Sequence, residues 1–437
     1  MDVTELSLVP QVPTAIAVDS GRIFVCGLVL CTSVSVALAR PRLRALGGLG
    51  PAHAALIAIS AVLLTGSASP GELLRAYRGL VRPLCAIAGI MVMAASVRRS
   101  GLLAALATGF MTRHSAAAGG MFTTVFFFAA AISSVLNNDA MILLLTPLVI
   151  GLAQAAWPGN QKLHRALAYA VFAAIGVAPV VIANPINLLI ADQAGIGFNP
   201  YLLRMLPAAI LCWLVTWSVL RVILGRNLIA RYARRPAEEP AALSKPQGQT
   251  ACILLGIVLA YPIASMFHDW AVAAVSVLGG MTLTLAIRAP LGRMLRREVE
   301  WGILLFMLGA FAIGIGLRNA GAVDALARLY EGGGLLVLAG ASALGSAVLN
   351  NHPMTILNLL ALKSSVFSDE MHYLVALACG DIGPRLLPSG SLAGLLWLAA
   401  CRRANLRVPL RWFILVGAVT LIPALSISVA VLLVLNG

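Results

Sequence analysis

Apolar stretches of bilayer length recur from one end of this 437-residue sequence to the other, and no other feature limits the fold as severely. A hydrocarbon core about 30 Å thick takes roughly 20 residues per helical span. Segments of that character run at about 22–39, 51–66, 83–97, 116–136 with 140–155, 166–197, 200–224, 250–267, 271–287, 301–317, 333–349 with 354–366, 372–401 and 412–435. Ala, Leu, Val and Gly fill them without the polar–apolar alternation of barrel strands, so the spans are helices. Charged residues make up 11% of the chain, against roughly 25% in a soluble domain. The sequence therefore reads as an all-α polytopic membrane protein.

The formal net charge of +15 does not describe a nucleic-acid surface, because Lys and Arg sit in short loops between spans rather than on one polar face. They follow a positive-inside bias instead. Placing the acidic N-terminus in the periplasm puts Arg40, Arg42, Arg44, Arg98, Arg99, Arg113, Lys162, Arg165, the five cations of 226–249, Arg288, Arg293, Arg296, Arg297, Arg402, Arg403, Arg407 and Arg411 in cytoplasmic loops. The outer loops keep Arg22, Arg75, Arg78, Arg82, Arg318, Arg328 and Lys363. Residues 1–21 carry acids and no Lys or Arg, so 22–39 lacks the basic start of a signal peptide and is read as the first span of an inner-membrane protein. Seven scattered Cys residues give neither a disulfide framework nor metal-ligand spacing.

The polar stretch RNLIARYARRPAEEPAALSKPQGQ, 226–249, divides the chain into 1–225 and 250–437 and reads as a cytoplasmic linker. Each half holds a similar string, SSVLNNDAMILLLTPLVI from Ser133 and GSAVLNNHPMTILNLLAL from Gly345. In both, an apolar stretch stops at paired Asn and a second one begins just after. Asn and Asp cap helices, but two such breaks at corresponding places within apolar segments suggest hairpins, at about 116–155 and 333–366, whose polar tips face a cavity. A second break follows each hairpin, at APVVIANPINLLIAD from Ala178 and GDIGPRLLPSGSLAGLLWL from Gly380. Pro179 and Pro185, then Pro384 and Pro388, forbid continuous helices across about 166–197 and 372–401. An odd number of crossings before the linker makes the halves inverted-topology repeats, with a binding site between the four breaks.

The strings VLNNDAMILLLTP, NPINLLIADQAGIGF, LRNAGAVDALA, VLNNHPMTIL and GDIGPRLLPSGSLAGLLWL resemble the arsenical pump membrane proteins, the arsenite/antimonite efflux permeases of the ion transporter superfamily. The likeness extends over nearly the whole chain and is most specific from Trp301 onward. It implies a scaffold part and a transport part, the latter with two re-entrant hairpins and two broken helices. It also implies proton-coupled export of trivalent arsenic and antimony hydroxides, with a separate cytosolic ATPase subunit in some members. Other relatives in that superfamily move sodium, protons, citrate or dicarboxylates, so a sodium/proton antiporter or a carboxylate/anion transporter is the alternative. His352 departs from the family, which usually has an apolar residue there.

Arsenite at neutral pH is mostly the uncharged trihydroxide, which calls for amides and hydroxyls rather than clustered charge. Asn137, Asn138, Asn184, Asn187, Asn350, Asn351, Ser389 and Ser391 are the substrate-binding candidates. Intramembrane acids are costly enough to imply a role, which makes Asp139 and Asp381 the proton-coupling candidates, with His352 beside them. Asp192 reads as interfacial and Cys379 as a packed core residue. Arg385, four residues after Asp381, is expected to pair with it, since a buried guanidinium needs a counter-charge. No HExxH or Ser–Lys constellation suggests an enzyme, and no Walker A string or cofactor motif is present, so any ATP dependence would come from a partner.

Overall fold

The computed structural model describes residues 19–39, 42–43, 47–113, 117–230 and 242–436. The acidic segment 1–18, the loop cations Arg40 and Arg44, and the middle of the linker at 231–241 lie outside the described residues. The first half holds α1 (Ser20–Ala39), α2 (Pro51–Leu64), α3 (Pro70–Arg99), α4 (Leu102–Arg113), α5 (Ala118–Val135), α6 (Asn138–Ala156), α7 (Gln161–Ala174), α8 (Pro185–Gln193) and α9 (Phe198–Leu224). After the linker come α10 (Lys245–Ala264), α11 (Ala271–Ala286), α12 (Leu291–Arg297), α13 (Trp301–Asn319), α14 (Ala322–Leu349), α15 (Asn351–Lys363), α16 (Glu370–Ile382), α17 (Leu392–Arg403) and α18 (Leu410–Asn436). The only strands among the described residues are the two-residue pairing of Arg42–Leu43 with Gly47–Gly48. Nine of the described helices are long and apolar enough to cross a membrane.

Two helices start well before the hydropathy expects. The segment at 83–97 is the interior of α3, whose start is fixed at Ser69. There the Ser69 hydroxyl accepts from the Glu72 N–H at 3.2 Å and the Glu72 carboxylate accepts from the Ser69 N–H at 2.8 Å. Arg75, Arg78 and Arg82, expected in an outer loop, instead ride on the first turns of this helix, on which Leu73 and Leu80 are buried. The segment at 333–349 likewise begins inside α14, near a kink at Gly334, where φ is 62°. Apolar scanning marks where charge thins out, not where the backbone starts to coil.

The buried apolar side chains form two clusters. The first gathers α5, α6, α7 and α17 with Leu220 and Leu224 of α9 and Phe413 and Val416 of α18. The second gathers α1, α2, α3, α8, α10, α11 and α13 to α16 with Tyr201 to Cys212 of α9 and Leu421 to Leu432 of α18. Both α9 and α18 pass from one cluster to the other. Hairpin α5–α6 lies in the first cluster and hairpin α14–α15 in the second, so the two approach from opposite ends of α9 and α18, as inverted repeats require. Within the second cluster α3 and α11 pack backbone to backbone. A Cβ on Gly89 would lie 2.5 Å from the Ser276 carbonyl carbon, and Ser96 and Thr284 hydrogen bond across the contact at 3.1 Å.

The breaks fall at the boundary between the clusters. Ala174, ending α7, belongs to the first and Val177 to the second, while Ile382, ending α16, belongs to the second and Ala393 to the first. Three 3₁₀ turns bridge the gaps, at Val181–Ala183, Gly383–Arg385 and Pro388–Gly390.

Candidate functional site

Four half-helices begin around one small cavity of about 30 Å³, lined by Asn138 and Asp139 of α6, Asn184 and Pro185 at the start of α8, Asn351 and His352 of α15, and Ser391 and Leu392 at the start of α17. Asp381, Pro384, Arg385, Phe172, Ile175, Gly176 and Ala393 complete its wall. Such a space holds a water-sized or slightly larger polar solute. Each half-helix is capped by a residue of its own break. Asn137 accepts from the Asp139 N–H at 2.8 Å, Asn184 from Ile186 at 3.3 Å, Asn350 from His352 at 3.3 Å and Ser391 from Gly394 at 3.0 Å. Four positive dipole ends thus point toward one cavity that also holds two carboxyl groups.

The eight amide and hydroxyl candidates divide accordingly. Asn138, Asn184, Asn351 and Ser391 line the cavity, whereas Asn137 and Asn350 turn their side-chain oxygens to capping. Asn350 adopts φ 80° and ψ 146°, outside the left-handed helical well that Asn visits readily, so the tip of the second hairpin is a strained backbone position. Its Nδ2 donates to the Ser389 carbonyl at 3.0 Å, which ties the tip of the second hairpin to the second break and leaves Ser389 behind the wall. Asn187 also stands behind it, supporting Asp381.

Asp381 reaches from the second half to the first. Its carboxyl oxygens accept from Asn184 Nδ2 at 2.8 Å and Asn187 Nδ2 at 2.7 Å. Asn187 Nδ2 is also 3.1 Å from the Tyr201 hydroxyl, which donates to the Ala178 carbonyl freed by the first break, at 3.1 Å. The expected pair with Arg385 does not form. A spacing of four places two residues on one face only while the helix continues, and α16 stops at Ile382. The following turn sends Arg385 toward α7 and α9, where Nη1 donates to Thr216 Oγ1 at 3.0 Å and Nη2 to the Ala173 carbonyl at 2.9 Å. Its Nε has no acceptor among the described residues. Close approach of α18 completes the enclosure, since a Cβ on Gly417 would collide with the Arg385 carbonyl oxygen.

Thr216 and Tyr201 support the site from α9, and the only sign of either in the sequence is a hydroxyl within an apolar span. A Thr216→Val change strands one guanidinium N–H and is expected to cost about 1–3 kcal/mol. In an Arg385→Met background the same change is expected to cost under about 0.5 kcal/mol. Detergent unfolding of the four proteins measures this, and strictly additive losses would remove the bond from the energetics.

His352 lines the cavity. Its Nδ1 donates to Asn351 Oδ1 at 2.8 Å, and Phe306 of α13 packs against the ring. Asp139 lines a second space of about 40 Å³ as well, together with Asn137, Arg98, Glu298 and Glu300, where the first hairpin meets α3 and α13. Arg98 and Arg99 both bind the Glu298 carboxylate there. At the far end of α8 a cleft of about 260 Å³ separates it from α3 and α11. Asp192 pairs there with Arg82 at 2.5 Å, and Arg82 also approaches Asp269 at 3.5 Å. Cys379 is buried in α16 and does not line the cavity.

A multi-pass bundle whose broken helices converge on one polar cavity has the architecture of a secondary transporter. The citrate transporter family model matches residues 36–380, and the chain belongs to that family, within the ion transporter superfamily. Over 318 residues it is 28% identical to the arsenical pump membrane protein of Escherichia coli strain K12, covering 66% of this chain and 71% of that one. The arsenical pump membrane protein of Yersinia enterocolitica is 28% identical over 313 residues, with the same coverage of each chain. The crystal structure of the Alcanivorax borkumensis YdaH transporter, described as having an unusual topology, superposes with a TM-score of 0.58 at 16% identity. It covers 95% of this chain and 97% of that one, so the likeness is one of fold.

Proposed function

We propose that this chain is a secondary active exporter of arsenite and antimonite trihydroxides, driven by proton antiport across the cell inner membrane. In this reading the N-terminus is periplasmic, 226–249 is a cytoplasmic linker, and 1–225 and 250–437 are the two repeats. The observation that carries it is the cavity wall. Asn138, Asn184, Asn351 and Ser391 offer amides and a hydroxyl in a space suited to one small polyhydroxylated solute, and no thiol lines it. Three thiolates would hold trivalent arsenic too firmly for release, whereas oxygen and amide contacts let it go. The similarity to arsenical pump membrane proteins supports the same substrate.

One observation favours a carboxylate or other anion instead. Arg385 is a cation in the cavity wall, with its buried Nε lacking an acceptor among the described residues, and the family model is described as a citrate transporter. Everted vesicles separate the two readings. With an acidic lumen and no ATP, arsenite and antimonite should accumulate while sodium and citrate do not. Citrate accumulation without arsenite accumulation overturns the proposal, and arsenite accumulation only with added ATPase subunit and ATP overturns the antiport.

A further inference from the structure

A cavity of about 700 Å³ opens beside the turn joining α17 to α18, within the size range of small-molecule sites. Two arginines line it, Arg402 from the last turn of α17 and Arg407 from beyond the turn, and no acid does. Among the described residues, neither guanidinium takes part in an ion pair or hydrogen bond.

The arginines are not needed to finish the helix. Asn405, at φ 54°, closes α17 by itself: its N–H donates to the Arg402 carbonyl at 3.1 Å and the Leu406 N–H to that of Cys401 at 2.9 Å. Gln154 of α6 holds the Ala404 carbonyl at 3.0 Å. The turn is thus fixed by contacts that leave both guanidinium groups unengaged on one cavity. Leu398, Leu410 and Phe413 give that cavity an apolar side, and Pro388 of the second break forms part of its floor.

We propose that this cavity binds a phosphate group, carried by an anionic phospholipid headgroup or free in solution. A planar guanidinium matches phosphate oxygens two at a time, and basic pockets between membrane helices suit such headgroups. The apolar side accommodates the glycerol and the first carbons of a lipid chain. Because the floor includes Pro388, the occupant braces the break whose other side carries Ser391.

The test is the thermal midpoint of the full-length protein in a non-ionic detergent, titrated with phosphatidylglycerol, phosphatidylcholine or inorganic phosphate. Wild type is expected to gain stability with phosphatidylglycerol and not with phosphatidylcholine. A parallel gain with inorganic phosphate makes phosphate alone sufficient, and its absence assigns the site to the lipid. Each arginine contributes on the order of fivefold in affinity, so Arg402→Gln/Arg407→Gln should weaken the effect roughly 30-fold. Arg296→Gln/Arg297→Gln, at the end of α12, should leave it unchanged. If the double variant does not fold, the single variants should each lose about fivefold. The proposal fails if neither phosphatidylglycerol nor phosphate stabilises wild type, or if the Arg402 and Arg407 variants keep full affinity.

Discussion

With Asp139 replaced by Asn, everted vesicles are expected to let arsenite equilibrate across the membrane but no longer to concentrate it against a gradient. For one-for-one exchange, each unit of pH difference is worth about 1.4 kcal/mol and sustains roughly tenfold accumulation. The variant's accumulation ratio should collapse to about one at any imposed gradient. The reason is where Asp139 stands. It heads α6 at the tip of the first hairpin, lines the central cavity, and also lines the space shared with Glu298, Glu300 and Arg98. A carboxyl common to both spaces can exchange a proton with one and respond to substrate in the other. Loading from the periplasmic side and release on the cytoplasmic side gives the direction that drives export. Asparagine keeps the shape and removes the titration. Accumulation by the variant equal to wild type would move the coupling proton to Asp381 or His352.

The features most legible in the sequence were those that the backbone itself enforces. Pro185, Pro384 and Pro388 stand beside polar residues at the breaks, and the paired Asn residues mark the starts of α6 and α15, so it is the combination that marks the four breaks. Proline alone does not, since α3, α6, α9, α10 and α18 continue through Pro83, Pro147, Pro207, Pro262 and Pro423. What was not legible were partners brought together by packing. Arg385 looked like the mate of Asp381 because the spacing assumes an unbroken helix, and the same break that makes the site redirects the guanidinium to Thr216, 169 residues away. Asp381 in turn takes its donors from Asn184 and Asn187 of the other half. The two spaces meeting at Asp139 leave no mark in the sequence either, since Glu298 and Glu300 are ordinary loop acids until the ends of α3 and α13 are set beside the hairpin.

The paired Asn residues provide the second large effect, because the two members of each pair stand in different places. Asn138 and Asn351 line the cavity, while Asn137 and Asn350 cap α6 and α15. Leucine at Asn138 or Asn351 removes an amide from the wall and faces a substrate hydroxyl with hydrocarbon. A stranded polar group costs about 1–3 kcal/mol, and with the bulk added to so small a cavity transport should fall roughly 100-fold or more. Folding should be little changed, since neither side chain supplies its helix cap. Leucine at Asn137 or Asn350 should instead lower stability by about 0.5–2 kcal/mol through the lost cap. The loss should be larger at Asn350, where φ is 80° and Nδ2 also holds the Ser389 carbonyl. Transport by these two variants should fall only as folded protein falls. Initial arsenite uptake per folded molecule, set beside the detergent unfolding midpoint, separates the two kinds of residue. A silent Asn138→Leu together with a fully folded but inactive Asn137→Leu would reverse the assignment and place the capping amide, rather than its neighbour, against the substrate.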